Sequence, residues 1–477
     1  MKVRFAPSPT GYIHLGNART ALFNYLLASQ KKGQMILRIE DTDVERSKDE
    51  YVDALIEDLR WLGLKWQEGP DCGGPNAPYR QSERQAIYEK KLQELIEKGH
   101  AYHCFCSEER LNKLKDKQRE QGLPPRYDNQ CRALSSADVQ VKLKEKQPHT
   151  IRFKVDGKNL IFKDLIRGEI DFDLNLIGDF VICRTSGVPT FHLTVCVDDG
   201  MMGVTHVLRG EDHLPNTPRH ILLFKAMGLT VPEFGHFSLL KGPGGEPLSK
   251  RLGAMSMREY RSAGWLPESL VNYMALLGWA PGDNRELFDM AGLCDAFSLS
   301  RIVKSAAIFD PVKLDWIAGQ HMRQLKTDAF IQRAKTYLLE NKLVEKSQLE
   351  VRQAWYDKAL LALHDNITFF GQLKEKLAVF DAPSAYEDIA LLREASSQTV
   401  LKKLESILSN VLQFSGENYS DIVDQIKKET GIKGKSLFMP IRLALTGACH
   451  GPEMKRVADV VGKEEALVRI EKALTQS

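Results

Sequence analysis

The stretch VRFAPSPTGYIHLGNAR, from Val3 to Arg19, decides how this chain is read. Val3 to Ala6 is a short apolar run with strand character, and Pro7, Pro9 and Gly11 enforce a sharp non-helical connection. Ala18, Leu22, Phe23 and Leu26 then recur at the spacing of an amphipathic helix. The order strand, turn, helix puts His14, Gly16 and Asn17 at a helix N-terminus, where unpaired backbone N–H groups and roughly half a positive charge favour an anion. Gly16 lets a flat group lie against the backbone, and His14 can donate to a phosphate or a bridging oxygen. On its own the stretch describes plain α/β architecture equally well.

Far down the chain, Lys241-Gly242-Pro243-Gly244-Gly245 leads into Pro247-Leu248-Ser249-Lys250-Arg251. The glycines make a loop, and a lysine on such a segment is suited to neutralising charge that moves between phosphates, because its ammonium is a compact charge on a long stem. Alone, this is a solvated basic hairpin. Taken together and in this order, the two segments resemble the HIGH and KMSKS signatures of class I aminoacyl-tRNA synthetases. The stretches between them narrow the resemblance. Arg38-Ile39-Glu40-Asp41-Thr42-Asp43, Gly69-Pro70, Tyr79 to Arg84, Val207 to His213, and Leu266-Pro267-Glu268 through Leu277-Gly278-Trp279 are similar to bacterial-type glutamyl-tRNA synthetases over nearly the whole chain.

Composition agrees. A chain of 477 residues that is 43% hydrophobic can bury a large core and divides into several domains. The net charge of +3 excludes a globally basic nucleic-acid binder, so a polyanionic partner needs local basic faces. Lys113, Lys115, Lys117 and Arg119 form one candidate; Lys427, Lys428, Lys433 and Lys435 another; Lys455 and Arg456 a third. Each alone is an ordinary solvated helix face. The first residues lack the pattern of a signal peptide and no apolar run is long enough to span a bilayer, so the reading expects a cytoplasmic protein with no membrane partner. In that compartment the eight cysteines are not a disulfide framework.

The alternation of periods predicts an α/β fold. Val3 to Ala6, Met35 to Ile39 and Val204 to Leu208 are β-rich runs separated by helical segments such as Tyr51 to Leu62 and Gln85 to Lys98, the pattern of a parallel sheet with crossover helices. Strand-like runs follow at Ile151 to Val155 and Phe180 to Cys183. Val400, Leu401, Leu404, Ile407, Leu408, Val411 and Leu412 form an apolar stripe at helical spacing, read as core, and little after it reads as strand. The expected organisation is a Rossmann-like catalytic core over 1–100 and 187–240, interrupted by 101–186, which resembles the acceptor-end insertion of the family. A stem-contact segment over 241–322 carries the LSKR loop, and an all-helical anticodon-binding region fills 323–477.

Cys104, Cys106 and Cys131 are three thiols in one small segment, with His100 and His103 beside them. Thiolate-rich sites favour structural zinc, and three reduced thiols without metal is the alternative. Some members of the family carry a zinc bound by a Cys-x-Cys pair, a later Cys and a Tyr, which implies Cys104, Cys106, Tyr127 and Cys131 as ligands here.

The resemblance also implies the reaction. Glutamate and ATP, which carries Mg2+, form glutamyl-adenylate and pyrophosphate in a step that depends on bound tRNA; a ribose hydroxyl of the terminal adenosine of tRNA(Glu) then attacks the mixed anhydride. His14, Gly16, Asn17, Ser249 and Lys250 would handle ATP. Arg grips carboxylates in a two-pronged fashion, and the family's positions make Arg4 and Arg209 the glutamate clamps, Glu40 the acceptor of its ammonium, and Ser8 and Phe191 further pocket contacts. Salt bridging among Arg38, Glu40, Asp41 and Asp43 competes with that reading of the acidic run. Two positions depart from the pattern: Phe191 stands where relatives usually have Tyr, and Pro247 where many have the first lysine of the loop signature. A non-catalytic tRNA-binding paralogue is the alternative these departures raise, and within the enzyme reading tRNA(Gln) is a second substrate to weigh. The family expectation is a monomer.

Overall fold

The computed structural model describes residues 1–43, 45–246 and 255–476. Two compact units divide them. The first comprises 1–259 and 270–311, the second 260–269 and 312 onward.

In the first unit the chain runs β1 (Lys2–Phe5), α1 (Leu15–Gln30), β2 (Gln34–Leu37), α2 (Asp49–Trp61), α3 (Gln85–Glu97), β3 (Ala101–Cys104), α4 (Glu108–Glu120), α5 (Ser136–Lys144), β4 (Thr150–Phe153), β5 (Asn159–Asp164), β6 (Gly168–Asp173), β7 (Phe180–Cys183), α6 (Phe191–Met201), β8 (His206–Gly210), α7 (Thr217–Met227) and β9 (Glu233–Phe237). The expected order of strands and helices is present. β1 and β2 pair in parallel with Val3 opposite Met35 and Arg4 opposite Ile36, and β8 pairs in parallel with β9. Thr205 N–H donates to the Lys2 carbonyl at 2.9 Å, so the β8–β9 pair lies along the other edge of β1. Helices α1 and α7 make the crossovers that parallel strands require. α1 is buried on most of its surface, through Leu15, Ala18, Leu22, Phe23, Leu26 and Leu27, as an interior helix must be.

The segment between α3 and α6 builds an antiparallel sheet in the order β3–β4–β7. Its β5–β6 hairpin returns to the parallel sheet, where Asp164 at the end of β5 pairs with Phe234 of β9. The insertion therefore shares a sheet with the core. α4, by contrast, buries no side chain, and Lys113, Lys115, Lys117 and Arg119 are all exposed on it.

The second unit is helical, and no strand follows Ile308 among the described residues. The helix Ala395–Asn410 buries Val400, Leu401, Leu404, Ile407 and Leu408 in one core with Ile422, Ile426, Ile441, Val457 and Ile470. The predicted stripe runs too far at its C-terminal end. The helix stops at Asn410, Val411 packs at the margin, and Leu412 is fully exposed, because a helical period places residues on one face only while the helix lasts. No helix of the described residues is long and apolar enough to cross a membrane.

Candidate active site

Arg4, Ser8, His14, Gly16, Asn17, Glu40, Phe191 and Arg209 come together around one cleft of about 770 Å3 in the first unit. Ser249, Lys250, Pro247 and Arg251 lie outside the described residues. The chain on either side of them reaches the same place, since Leu240 lines the cleft and Ser256 bridges His14.

The turn after β1 sets one wall. His14 is the N-cap of α1, with an extended backbone at φ −118° and ψ 174°, and its Nδ1 accepts the Gly16 N–H at 3.2 Å. Serine, threonine, aspartate and asparagine are the usual residues in this position. A ring nitrogen does the same work here and holds Nδ1 as an acceptor, so the proton of the neutral ring sits on Nε2, available to a ligand. Loss of solvation lowers the His14 pKa, which keeps the ring neutral. A Cβ on residue 16 would stand 3.2 Å from that ring, so Gly16 makes room for the cap itself.

The opposite wall is cationic. Arg209, at the end of β8, is 5% exposed, and no carboxylate lies within ion-pair distance of it among the described residues. Its partners are neutral: His236 Nε2 at 3.0 Å, His220 Nδ1 at 3.2 Å and Thr217 Oγ1 at 2.8 Å. Burial and the nearby Arg4 cation push its pKa down to about 10, the mark of a buried charge short of a counter-ion. The surrounding histidines do not compete with an incoming anion. Burial, helped by neighbouring guanidinium groups, holds His192 down at about 4 and His220 well below its ordinary value.

Arg4 and Glu40 meet on a buried network. Asp199 accepts from Arg4 Nε at 3.2 Å and from Arg38 Nη1 at 2.7 Å, and Arg38 Nη2 donates to Glu40 Oε1 at 3.1 Å. Arg38 is wholly buried and its Nε lies 3.6 Å from Asp198, which also accepts from Gln81, Arg84 and Tyr88. Only one edge of each ligand-facing group is consumed. The Arg4 η nitrogens and the second Glu40 oxygen have no partner among the described residues, and both residues line the cleft. Burial raises the Glu40 pKa against the pull of Arg38 and Arg4, so a cation at its free oxygen would restore the balance. The acidic run thus divides by role: Asp41 accepts from Ser82 N–H and Oγ at 2.8 Å, and Asp43 pairs with Arg46 at the rim.

Asp198 and Asp199 were not singled out from the sequence, and Arg38 was read only as a salt-bridge partner within its own acidic run, where it does pair with Glu40. The available signal was a pair of acids closing the apolar run Val195-Cys196-Val197, but their arginine partner is about 160 residues away.

The first 316 residues match the family model for the catalytic domain of class I tRNA synthetases (E and Q), and residues 329–474 match an anticodon binding domain. The chain belongs to the class I glutamyl-tRNA synthetase family. It is 42% identical over 476 residues to glutamate–tRNA ligase 1 of Caldicellulosiruptor saccharolyticus, spanning 99% of this chain and 98% of that protein. The glutamate–tRNA ligase of Bacillus subtilis is 39% identical over 98% of this chain and 99% of its own. Among solved structures, a glutamate tRNA ligase from Elizabethkingia meningosepticum in complex with its amino acid superposes with a TM-score of 0.88 at 32% identity, covering 100% of this chain and 99% of that one.

Phe191, where the sequence reading expects the family to carry Tyr, lines the same cleft. Its ring is the first residue of α6 and packs 5.6–5.8 Å from the rings of His192, His213 and His220. The position keeps its place in the pocket wall without a hydroxyl.

Away from the cleft, Cys104, Cys106 and Cys131 bring their sulfurs within 4.8 Å of one another. The Tyr127 hydroxyl lies 3.4 Å from both Cys104 and Cys106, and Cys106 and Cys131 are 3.5 Å apart as free thiols. Arg152 Nε donates to Cys104 at 3.3 Å and Arg110 to Cys106 at 3.4 Å. Burial opposes the Cys104 thiolate, yet its hydrogen bonds to Tyr127, Cys106 N–H and Arg152 bring its pKa below the ordinary value. Three sulfurs and one oxygen at these separations suit a tetrahedral ion of zinc's size. His103 is not part of this group; its ring meets His149 edge-on with centroids 4.8 Å apart.

Proposed function

We propose that the protein ligates L-glutamate to tRNA(Glu) in two steps. The observation that carries this is the buried Arg209 without a counter-ion among the described residues, lining the same cleft as a half-free Glu40 and the capped N-terminus of α1. A substrate with two carboxylates and one ammonium matches that pattern: Arg209 and Arg4 take the carboxylates, Glu40 takes the ammonium, and Ser8 and Phe191 complete the wall.

In the first step an α-carboxylate oxygen of glutamate attacks the α-phosphorus of ATP, the bond to the β-phosphate bridging oxygen breaks, and pyrophosphate leaves with its Mg2+. No protein nucleophile takes part. His14 Nε2–H, the N–H groups around Gly16 and Asn17, and Ser249 with Lys250 stabilise charge on the departing phosphates. In the second step a ribose hydroxyl of the terminal adenosine attacks the activated carbonyl, the bond to phosphate breaks, and AMP leaves. Adenylate formation depends on bound tRNA. The helical second unit holds the anticodon arm and the segment 101–186 the acceptor end, in a monomeric cytoplasmic enzyme. Cys104, Cys106, Cys131 and Tyr127 hold one zinc, whose part is to cross-link that segment.

The test is charging of purified tRNA(Glu) and tRNA(Gln), with pyrophosphate exchange measured alongside. Charging of tRNA(Glu), with exchange only when tRNA is present, supports the reading. Tight tRNA binding with neither activity would establish the non-catalytic paralogue instead.

A further inference from the structure

We propose that Asp164 and His236 are positioning residues that hold the guanidinium of Arg209 in its glutamate-binding orientation. The proposal rests on the reading of Arg209 as a carboxylate clamp. Arg209 and His236 are directly opposed in the β8–β9 register, and His236 Nε2 is the partner of Arg209 Nε at 3.0 Å. Arg Nε can only donate, so Nε2 must accept and carries no proton. Thr217 Oγ1 accepts from Arg209 Nη2 at 2.8 Å and lies 3.1 Å from the same ring nitrogen and 3.5 Å from the His213 carbonyl, either of which can take its proton.

The proton of the neutral ring therefore sits on Nδ1, and Asp164 accounts for it: Oδ2 lies 2.6 Å from Nδ1, with both residues wholly inaccessible to solvent. Which ring nitrogen is protonated is set by the bond the other nitrogen makes. The other carboxylate oxygen, Oδ1, is locked by backbone N–H groups of Ile166 at 2.9 Å, Arg167 at 2.8 Å and His236 at 3.3 Å. Asp164 stands at the end of β5, so the inserted segment contributes to the amino-acid clamp through this one carboxylate.

The lock on Oδ1 makes Asp164→Asn a near-isosteric inversion. Three N–H groups demand the amide oxygen on their side, which turns the amide NH2 toward His236 Nδ1. The ring must then accept at Nδ1 and carry its proton on Nε2, aimed at the Arg209 N–H.

Steady-state kinetics of full-length Asp164→Asn should give a glutamate KM raised at least about tenfold, the scale of one charge-assisted hydrogen bond, with the ATP KM within twofold of wild type. On a His236→Phe background, which already lacks the acceptor, the same substitution should add little. Nitrogen-15 shifts of histidine-labelled protein should report an Nδ1–H His236 in the wild type and an Nε2–H ring in Asp164→Asn. A glutamate KM within twofold of wild type, an equal rise in both KM values, or additive effects in the double variant would overturn the assignment, as would an Nε2–H ring in the wild type. A wild type that charges tRNA with an amino acid other than glutamate would refute the functional reading, while the nitrogen-15 shifts would still decide the order of the hydrogen bonds.

Discussion

Arg209 owes its importance to what does not surround it. Burying a guanidinium costs several kcal/mol unless an anion compensates, and its neighbours here are imidazoles and a hydroxyl. In the proposed function, a substrate carboxylate supplies the missing charge. Arg209→Gln should therefore raise the glutamate KM about tenfold to a hundredfold with the ATP KM little changed, since each charge-assisted hydrogen bond contributes about 1.5–3 kcal/mol; initial rates against each substrate would show it. Lys250→Ala should act on the other quantity, lowering the activation rate about a hundredfold with glutamate binding intact, because its charge is needed only as pyrophosphate departs. Presteady-state adenylate formation at saturating tRNA measures this, and an unchanged rate would remove Lys250 from the mechanism. At this scale the sequence was most legible where a residue type has one use: arginines near carboxylates, a cysteine cluster, a histidine at a helix start. The neutral set of histidines near Arg209 was not legible, because His192, His213, His220 and His236 acquire their roles only when α6, the turn Glu211–Asn216 after β8, α7 and β9 converge.

Among elements, α1 shows one side chain serving two purposes. His14 caps the helix through Nδ1 and presents Nε2 to the cleft. The two can be separated: His14→Asn restores a good cap but has no equivalent of Nε2, whereas His14→Ala loses both. We expect His14→Asn to keep its melting temperature close to wild type while losing at least about tenfold in adenylate formation, and His14→Ala to lose about 1 kcal/mol of stability in addition. Thermal scans beside exchange rates test this. In the inserted segment, the cysteine cluster predicts about one equivalent of zinc in protein purified without added metal, and its loss in Cys104→Ser; less than about a tenth of an equivalent in the wild type would leave the thiols metal-free. Two strands of this segment, β4 and β7, were readable from the β-rich runs at Ile151 and Phe180, whereas β3 and the β5–β6 hairpin were not. The return of its hairpin to β9 was not, since a single pairing between Asp164 and Phe234 leaves no periodic trace in the sequence.

For the molecule as a whole, the neutral histidines link the site to stability. The unfolded chain protonates His near 6.5, whereas folded His192 does so near 4 and folded His220 well below its ordinary value, because burial opposes the charge. Between those values the unfolded state binds more protons, so their contribution is complete above about pH 6.5 and declines as pH falls toward 4. The melting temperature should drop across that window, and His192→Gln should flatten the decline; an unchanged slope would show that other groups set it. At this scale the sequence revealed the division into a parallel-sheet core and a helical C-terminal unit, because β-rich runs alternate with helical segments in the first part of the chain and little after the stripe at Val400 reads as strand. It overran at Leu412, where nothing in the periodicity marks the end of a helix. Selection of glutamate by the cleft between the capped helix and Arg209 can be measured by charging unfractionated bacterial tRNA with ATP and each of glutamate, glutamine and aspartate in turn. Glutamate alone should be attached; no charging, or charging with glutamine or aspartate at a comparable rate, would refute that selectivity.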